Sequence, residues 1–203
     1  MHPKKSICIF CGSSSGSDAD YTRKARELAL LLAERKITLV YGGSNVGLMR
    51  VLADTIMDAG GKVVGVMPHT LIRRDVAHKN ISEFHVVDTM SERKAMMNDL
   101  ADAFIAMPGG IGTLDELFEV MSWNQLELID KPVALFNING YYDNLITFLD
   151  HSVEQRFVKA EHRQNLICES DANRLLEKIE NYKAVKVEGG KWIKELKENT
   201  FQA

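Results

Sequence analysis

The sequence predicts an α/β protein built on a doubly wound parallel sheet of about seven strands with helices on both faces. Three observations carry that expectation. Short uninterrupted apolar runs alternate along the chain with longer amphipathic stretches, the pattern of strands buried on both faces and helices crossing between them. Three of those runs end in loops rich in glycine and hydroxyl residues: Gly12-Ser13-Ser14-Ser15-Gly16, Gly42-Gly43-Ser44-Asn45-Val46-Gly47 and Pro108-Gly109-Gly110-Ile111-Gly112-Thr113. No internal repeat or low-complexity linker interrupts the alternation. The arrangement is Rossmann-like, and such sheets bind ligands beyond the carboxyl ends of their strands.

Residues 6–11 form the first expected strand, because Ile7-Cys8-Ile9-Phe10-Cys11 is continuously apolar. Residues 18–35 follow as a helix with Ala25, Leu28, Ala29 and Leu32 on one stripe. Strand 37–41, helix 46–59 and strand 62–67 come next, then a loop of mixed charge over 68–80. Strand 83–87 and helix 90–101 lead to strand 103–107, which Pro108 stops. Three glycines turn the chain into a helix over 113–124. Strand 132–136, helix 141–155, a short strand 166–168 and helix 171–182 complete the pattern. Residues 1–182 are thus expected to form one Rossmann-like domain. Residues 183–203, with Trp192 and Leu196 among lysines, are expected to form a peripheral arm or helix.

At 203 residues the chain suits a single core. With 45% hydrophobic and 26% charged residues it has the balance of a soluble globule. A net charge of −3 gives no footprint for a nucleic acid polymer or an anionic membrane. No apolar run nears the roughly 20 residues needed to span a bilayer, and the first one is too short for a signal peptide, so a cytoplasmic location is expected. Cys8 and Cys11 make a C-x-x-C, but both lie inside the first strand, where core burial is the expected role; a redox pair would open a helix. Cys168 likewise ends the apolar run Leu166-Ile167-Cys168. His69, His85, His151 and His162 have no metal-ligand spacing with one another or with the cysteines, so neither a metal nor a cofactor is expected.

The third glycine loop organises the chemistry. A glycine turn into a helix N-terminus presents bare backbone and unpaired N–H groups to an anion. No lysine follows the last glycine, so this is not a P-loop, and the spacing is not the dinucleotide fingerprint. Three such loops on one edge, Ser13, Gly43 and Ser44 among their residues, point to a phosphate-bearing, nucleotide-sized ligand. On helix 90–101 side chains turn by about 100° per residue. Met90, Met96, Met97, Leu100 and Ala101 then share an apolar arc, and Arg93 projects from inside it. Such a guanidinium either holds a phosphate or carboxylate ligand or makes a salt bridge within the domain. Lys94, at the edge of the arc, reads as a solvated lysine. Thr113-x-x-Glu116 fits a capping box with Thr113 as N-cap. The same carboxylate, one turn from a phosphate loop, is also placed to bind ribose hydroxyls or activate water. Asp75 and His78 read as solvated loop residues.

Taken together, Tyr41-Gly42-Gly43-Ser44-Asn45-Val46-Gly47-Leu48-Met49, Glu92-Arg93-Lys94 and Pro108-Gly109-Gly110-Ile111-Gly112-Thr113-Leu114-Asp115-Glu116 resemble the LOG ("Lonely guy") family. The likeness runs from the first strand to about Tyr142, including Trp123-x-Gln125 and Lys131-Pro132-Val133, and weakens in the last third. The resemblance implies hydrolysis of the N-glycosidic bond of nucleoside 5′-monophosphates, AMP or cytokinin riboside monophosphates, to free base and ribose 5-phosphate. It implies Arg93 and Glu116 as the catalytic pair. Substrate contacts are implied at Arg93, Lys94, Gly109, Gly110, Ile111, Gly112, Thr113, Leu114, Asp115 and Glu116. Asp75 is implied as a further acidic ligand and Ser122 as a hydroxyl ligand. A homodimer is implied as well. Arg50 stands where many relatives have Gly, and Asp75 and Ser122 where many have Glu and Thr. Two other functions fit the same fold. One is a nucleotide or cofactor carrier that does not cleave its ligand. The other is the decarboxylase that the family's common label suggests, with Lys94 as the candidate lysine for pyridoxal phosphate.

Overall fold

A computed structural model describes residues 5–73 and 76–186. The elements are β1 (Ser6–Phe10), α1 (Ala19–Glu34), β2 (Thr38–Tyr41), α2 (Gly47–Asp58), β3 (Val63–Pro68), α3 (His69–Ile72), β4 (Glu83–Val87) and α4 (Met90–Leu100). They continue with β5 (Ala103–Ala106), α5 (Ile111–Gln125), β6 (Val133–Phe136), α6 (Asp143–Glu154), α7 (Ala160–Gln164), β7 (Leu166–Glu169) and α8 (Ala172–Glu180). The seven strands make one sheet in the order β4-β3-β2-β1-β5-β6-β7, and every neighbouring pair is parallel.

Strand periodicity sorts the core into two layers. Ile7, Ile9 and Cys11 face one side of the sheet, with α1, α2 and α8. Cys8 and Phe10 face the other, with α4, α5 and α6. The expected core role of the C-x-x-C pair holds for this reason: an offset of three puts the two thiols on opposite faces. The α1 stripe of Ala25, Leu28, Ala29 and Leu32 is fully buried. It packs beside Leu48, Leu52, Ala53 and Ile56 of α2. Truncating one of these leucines to alanine is expected to cost about 2–5 kcal/mol.

The chain winds outward from β1 to β4, then returns to the other side of β1 as β5. The crevice therefore opens between the carboxyl ends of β1 and β5, where the direction of winding reverses. The two tips are tied closely. Met107 N donates to Phe10 O at 2.9 Å and Gly12 N donates to Pro108 O at 3.0 Å. A Cβ on Gly109 would stand 2.8 Å from Gly12 N, so the two glycines let the loops touch.

Three short pieces carry no sequence signal: α3, α7 and a 3₁₀ turn at Ile138–Gly140. Neither α3 nor α7 buries a residue, so neither has an apolar stripe to reveal it. Among the described residues no helix is long and apolar enough to cross a membrane. Trp192 and Leu196 of the expected arm lie outside the described residues.

Candidate active site

The helix N-terminus at the crevice starts earlier than the capping-box reading expects. Gly110, not Thr113, is the N-cap of α5. Leu114 N makes the first intrahelical bond, to Gly110 O at 3.1 Å. The N–H groups of Ile111, Gly112 and Thr113 are thus the unpaired donors of the first turn. Thr113 is buried and packs under Gly109. The shift moves Glu116 from the third helical position into the second turn, so it does not cap α5. A capping box of this type stands instead at the start of α4. There Glu92 N donates to Thr89 Oγ1 at 3.1 Å and Thr89 N donates to Glu92 Oε2 at 3.2 Å.

That box orients α4 so that Arg93 points inward. The buried stripe of α4 is Arg93, Met97 and Ala101, while Met90 and Leu100 of the expected arc are exposed. Arg93 donates from Nε to Val66 O at 3.1 Å and from Nη1 to Glu116 Oε1 at 2.7 Å. Its side chain is 10% exposed and that of Glu116 12%. A Cβ on Gly42 would collide with the guanidinium, so the bare backbone of the second glycine loop backs Arg93. The two readings of Arg93 converge here: it makes an internal salt bridge, and the pair lines a cavity.

That cavity, about 280 Å³, is lined by Arg93 and Glu116, by Gly110 to Thr113 at the start of α5, and by Cys11, Gly12 and Ser13 from the tip of β1. Met49 and Met90 add apolar lining. A second hollow of about 300 Å³ shares Gly12, Ser13 and Gly110 with it and holds Gly109. Burial pushes the Glu116 carboxyl above its ordinary value. The Arg93 charge and hydrogen bond pull it back, Asp115 raises it and Lys94 lowers it. Cys11 beside it is also pushed up, by burial and then by the Glu116 charge, so it stays a neutral thiol. Paired oppositely charged groups, unpaired N–H donors and bare glycine backbone together can hold a phosphorylated sugar and steer one proton.

Other expected residues fall elsewhere. Lys94 is not a solvated lysine. It lies 3.2 Å from Asp115 Oδ2 and 3.0 Å from Glu119 Oε1, and these partners raise its pKa. Gly43 and Ser44 spend their polar groups inside their own region: Ser44 Oγ donates to Val76 O, and Gly43 O accepts from His78 N. Leu114 packs against the core layer of α4, α5 and α6. Ser122 lines a groove where α5 meets α7 and Leu149 of α6, instead of the Glu116 cavity. Asp75 lies outside the described residues. His78 is not a solvated loop residue: it is buried and bonded to Asp54. A loop has no period, so nothing in the pattern marked it. Among the described residues no group of three or more His, Cys, Asp and Glu converges as a metal site.

Fold and geometry define a doubly wound α/β protein whose ligand crevice lies at the switch point. Residues 49–179 match the family model described as "Possible lysine decarboxylase". The chain is 46% identical over 176 residues to cytokinin riboside 5′-monophosphate phosphoribohydrolase LOG2 of Arabidopsis thaliana, covering 87% of this chain and 83% of that protein. It is 45% identical to the probable cytokinin riboside 5′-monophosphate phosphoribohydrolase LOGL9 of Oryza sativa subsp. japonica, with 87% and 78% covered. This chain belongs to the LOG family. The molybdenum cofactor binding protein of Rippkaea orientalis shares the fold, with a TM-score of 0.66 at 21% identity over 88% of this chain and 96% of that one. So does the Moco carrier protein of Chlamydomonas reinhardtii, with a TM-score of 0.62 at 20% identity, over 86% and 99%.

Proposed function

We propose that this chain hydrolyses the N-glycosidic bond of nucleoside 5′-monophosphates, AMP or cytokinin riboside 5′-monophosphates, giving free base and ribose 5-phosphate. The observation that carries the reading is that the buried Arg93–Glu116 pair and the start of α5, with its unpaired N–H groups, line one cavity. In this reading the 5′-phosphate sits on the N–H groups of Ile111, Gly112 and Thr113, where the helix end favours an anion. Glu116 holds the ribose hydroxyls or takes a proton from the attacking water. As the C1′–N bond breaks, positive charge grows on the ribose ring, and a nearby carboxylate stabilises it. The water oxygen bonds to C1′ and the base leaves with its bonding electrons and a proton. Arg93 keeps Glu116 ionised and aimed. Met49 and Met90 offer the base an apolar lining.

Lys94 argues against a decarboxylase. A Schiff-base lysine needs a neutral amine, and the carboxylates of Glu119 and Asp115 hold this one protonated. The homodimer belongs to the same proposal. The groove beside Ser122 exposes Phe118 next to Met121, Leu149 and Val158, an apolar surface that a second copy would cover. The reading also puts the enzyme in the cytoplasm.

The test is incubation with AMP, and then with N6-isopentenyladenosine monophosphate, following release of the free base. Base release that disappears in Glu116→Gln is expected. No release above background from either nucleotide, or full activity in that variant, overturns the reading. Light scattering of the purified chain tests the dimer, and a monomer mass would remove it.

A further inference from the structure

The connection from β3 to β4 crosses the tip of β2 and is pinned there. Asn45 N donates to Val76 O at 2.7 Å, His78 N donates to Gly43 O at 2.9 Å, and Ser44 pairs with Ala77 as an isolated antiparallel bridge. Ser44 Oγ adds a bond to Val76 O at 3.2 Å. One side chain locks this small ladder to the body of the protein. His78, 6% exposed, sets Nε2 against Asp54 Oδ1 at 2.9 Å. Its Nδ1 accepts from Asn80 N at 3.2 Å. An Nδ1 that accepts leaves the ring proton on Nε2, aimed at the carboxylate. Arg50 Nε holds the other Asp54 oxygen at 3.1 Å.

The ladder ends where the reacting pair begins. Gly43 is left-handed, with φ of +72°, a conformation open to glycine that costs it more chain entropy to hold than any other residue would lose. The residue before it, Gly42, is the backstop of the Arg93 guanidinium, and Arg93 holds Glu116.

We propose that His78 is a positioning residue of the nucleotide site: by latching residues 76–78 to Asp54 it fixes the second glycine loop, and that loop holds the Arg93 guanidinium on Glu116. The assignment rests on the function proposed above for the part of its test that reads catalysis. It gives Arg50 a place as well, as the clamp on the far side of Asp54.

The groups that act on Glu116 are Arg93 and Lys94 from α4 and Asp115 from its own helix, with the Cys11 thiol just past β1 lining the same cavity. Among the described residues none of them hydrogen-bonds or ion-pairs with His78, so the path proposed from His78 to Glu116 runs through the loop. The experiment compares wild type with His78→Ala and His78→Gln, whose amide can still donate to Asp54. Three readouts are taken. In His78→Ala the backbone amides of Asn45 and residue 78 should exchange with solvent about tenfold faster, with those of β1 and β5 unchanged. The Glu116 carboxyl, followed by NMR, should titrate at higher pH because the guanidinium no longer holds its charged form. For base release from AMP, kcat should fall about tenfold with KM within about threefold, the mark of an interaction spent in the transition state. His78→Gln should restore all three. Amide exchange and Glu116 titration that stay at wild-type values in His78→Ala overturn the latch, even where Tm falls. A wild type that releases no base removes the proposed function, and the two spectroscopic readouts still decide the latch.

Discussion

Arg93 Nη1 and Glu116 Oε1 meet at 2.7 Å across the gap between α4 and α5, and both side chains are nearly closed to water. The pair is a structural tie, and in the proposed reaction it is the reactive couple as well. Breaking a buried pair by removing one charge typically costs about 3–5 kcal/mol, because the other charge is stranded. Arg93→Met should therefore lower Tm and abolish base release together. Glu116→Gln also strands the Arg93 charge, but its amide oxygen still accepts from Arg93, so its Tm should fall less than that of Arg93→Met. We expect it to keep the fold by circular dichroism and lose about 10²–10⁴-fold in kcat, the scale of a lost proton-transfer group.

Glu116 also sets the pH dependence. Its carboxyl lies above 4.5 because it is buried, and Arg93 pulls it part of the way back. In the proposed reaction the carboxylate is the working form, so activity should fall as pH drops through this raised value. Arg93→Gln removes the charge that favours the carboxylate, and the residual acid limb should move to higher pH. For stability the sign is reversed. Between 4.5 and the raised value the folded chain binds the Glu116 proton that the unfolded chain has lost, so stability from this group falls as pH rises through the window. Asp54 opposes it. Burial raises its pKa, but hydrogen bonds from His78 and Arg50 bring it below 3.8, so its stabilisation is present above 3.8 and lost on acidification. Urea unfolding across the acid range should show the Glu116 slope in wild type and not in Glu116→Gln.

Two neighbouring glycines give a matched pair of substitutions. A Cβ on Gly109 runs into Gly12 and Thr113, whereas a Cβ on Gly110 meets nothing within 4 Å. Gly110 has φ of −94°, which any residue adopts. Gly109→Ala should destabilise the protein by about 1–3 kcal/mol, as overpacking does. Gly110→Ala should leave stability within about 0.5 kcal/mol of wild type and yet raise KM for AMP, because the space it fills is where the proposed reaction puts the phosphate. An unchanged KM in Gly110→Ala would place the phosphate elsewhere.

Lys94 balances Asp115 and Glu119 beside the crevice. Both pairs are partly exposed, so Lys94→Met should cost no more than about 1 kcal/mol. It leaves two carboxylates near the mouth of an anion site. KM for AMP should rise, more at low salt than at high salt, with kcat nearly constant. A salt-independent KM would show that Lys94 serves only to join α4 to α5.

Much of this was legible along the chain. Continuous apolar runs such as Ile7 to Cys11 named the strands, and the i, i+3, i+4 stripe of α1 named its buried face. Arg93 stood out on its helix because a charge inside an apolar arc needs a partner, though two residues of that arc, Met90 and Leu100, prove exposed. The missing pieces share a physical trait. α3 and α7 are too short to show a period, and His78 sits in a loop that has none. Ser122 was named by family likeness alone, and the structure sets it in the groove beside α6.

The sequence by itself determined the layered α/β plan and the edge on which ligands bind, because apolar periodicity and glycine loops are local properties of the chain. It also singled out Arg93 and Glu116, which the structure pairs. Only the tertiary structure decided what Glu116 does. Thr-x-x-Glu occurs twice here, at Thr89–Glu92 and at Thr113–Glu116, and the motif is identical in both. At Thr89 the helix starts where the motif says and Glu92 is consumed as a cap. At Thr113 the bare backbone of Gly110 starts the helix three residues sooner, and Glu116 is left to face Arg93 from another helix. A partner 23 residues away is a matter of packing, and no local pattern encodes it.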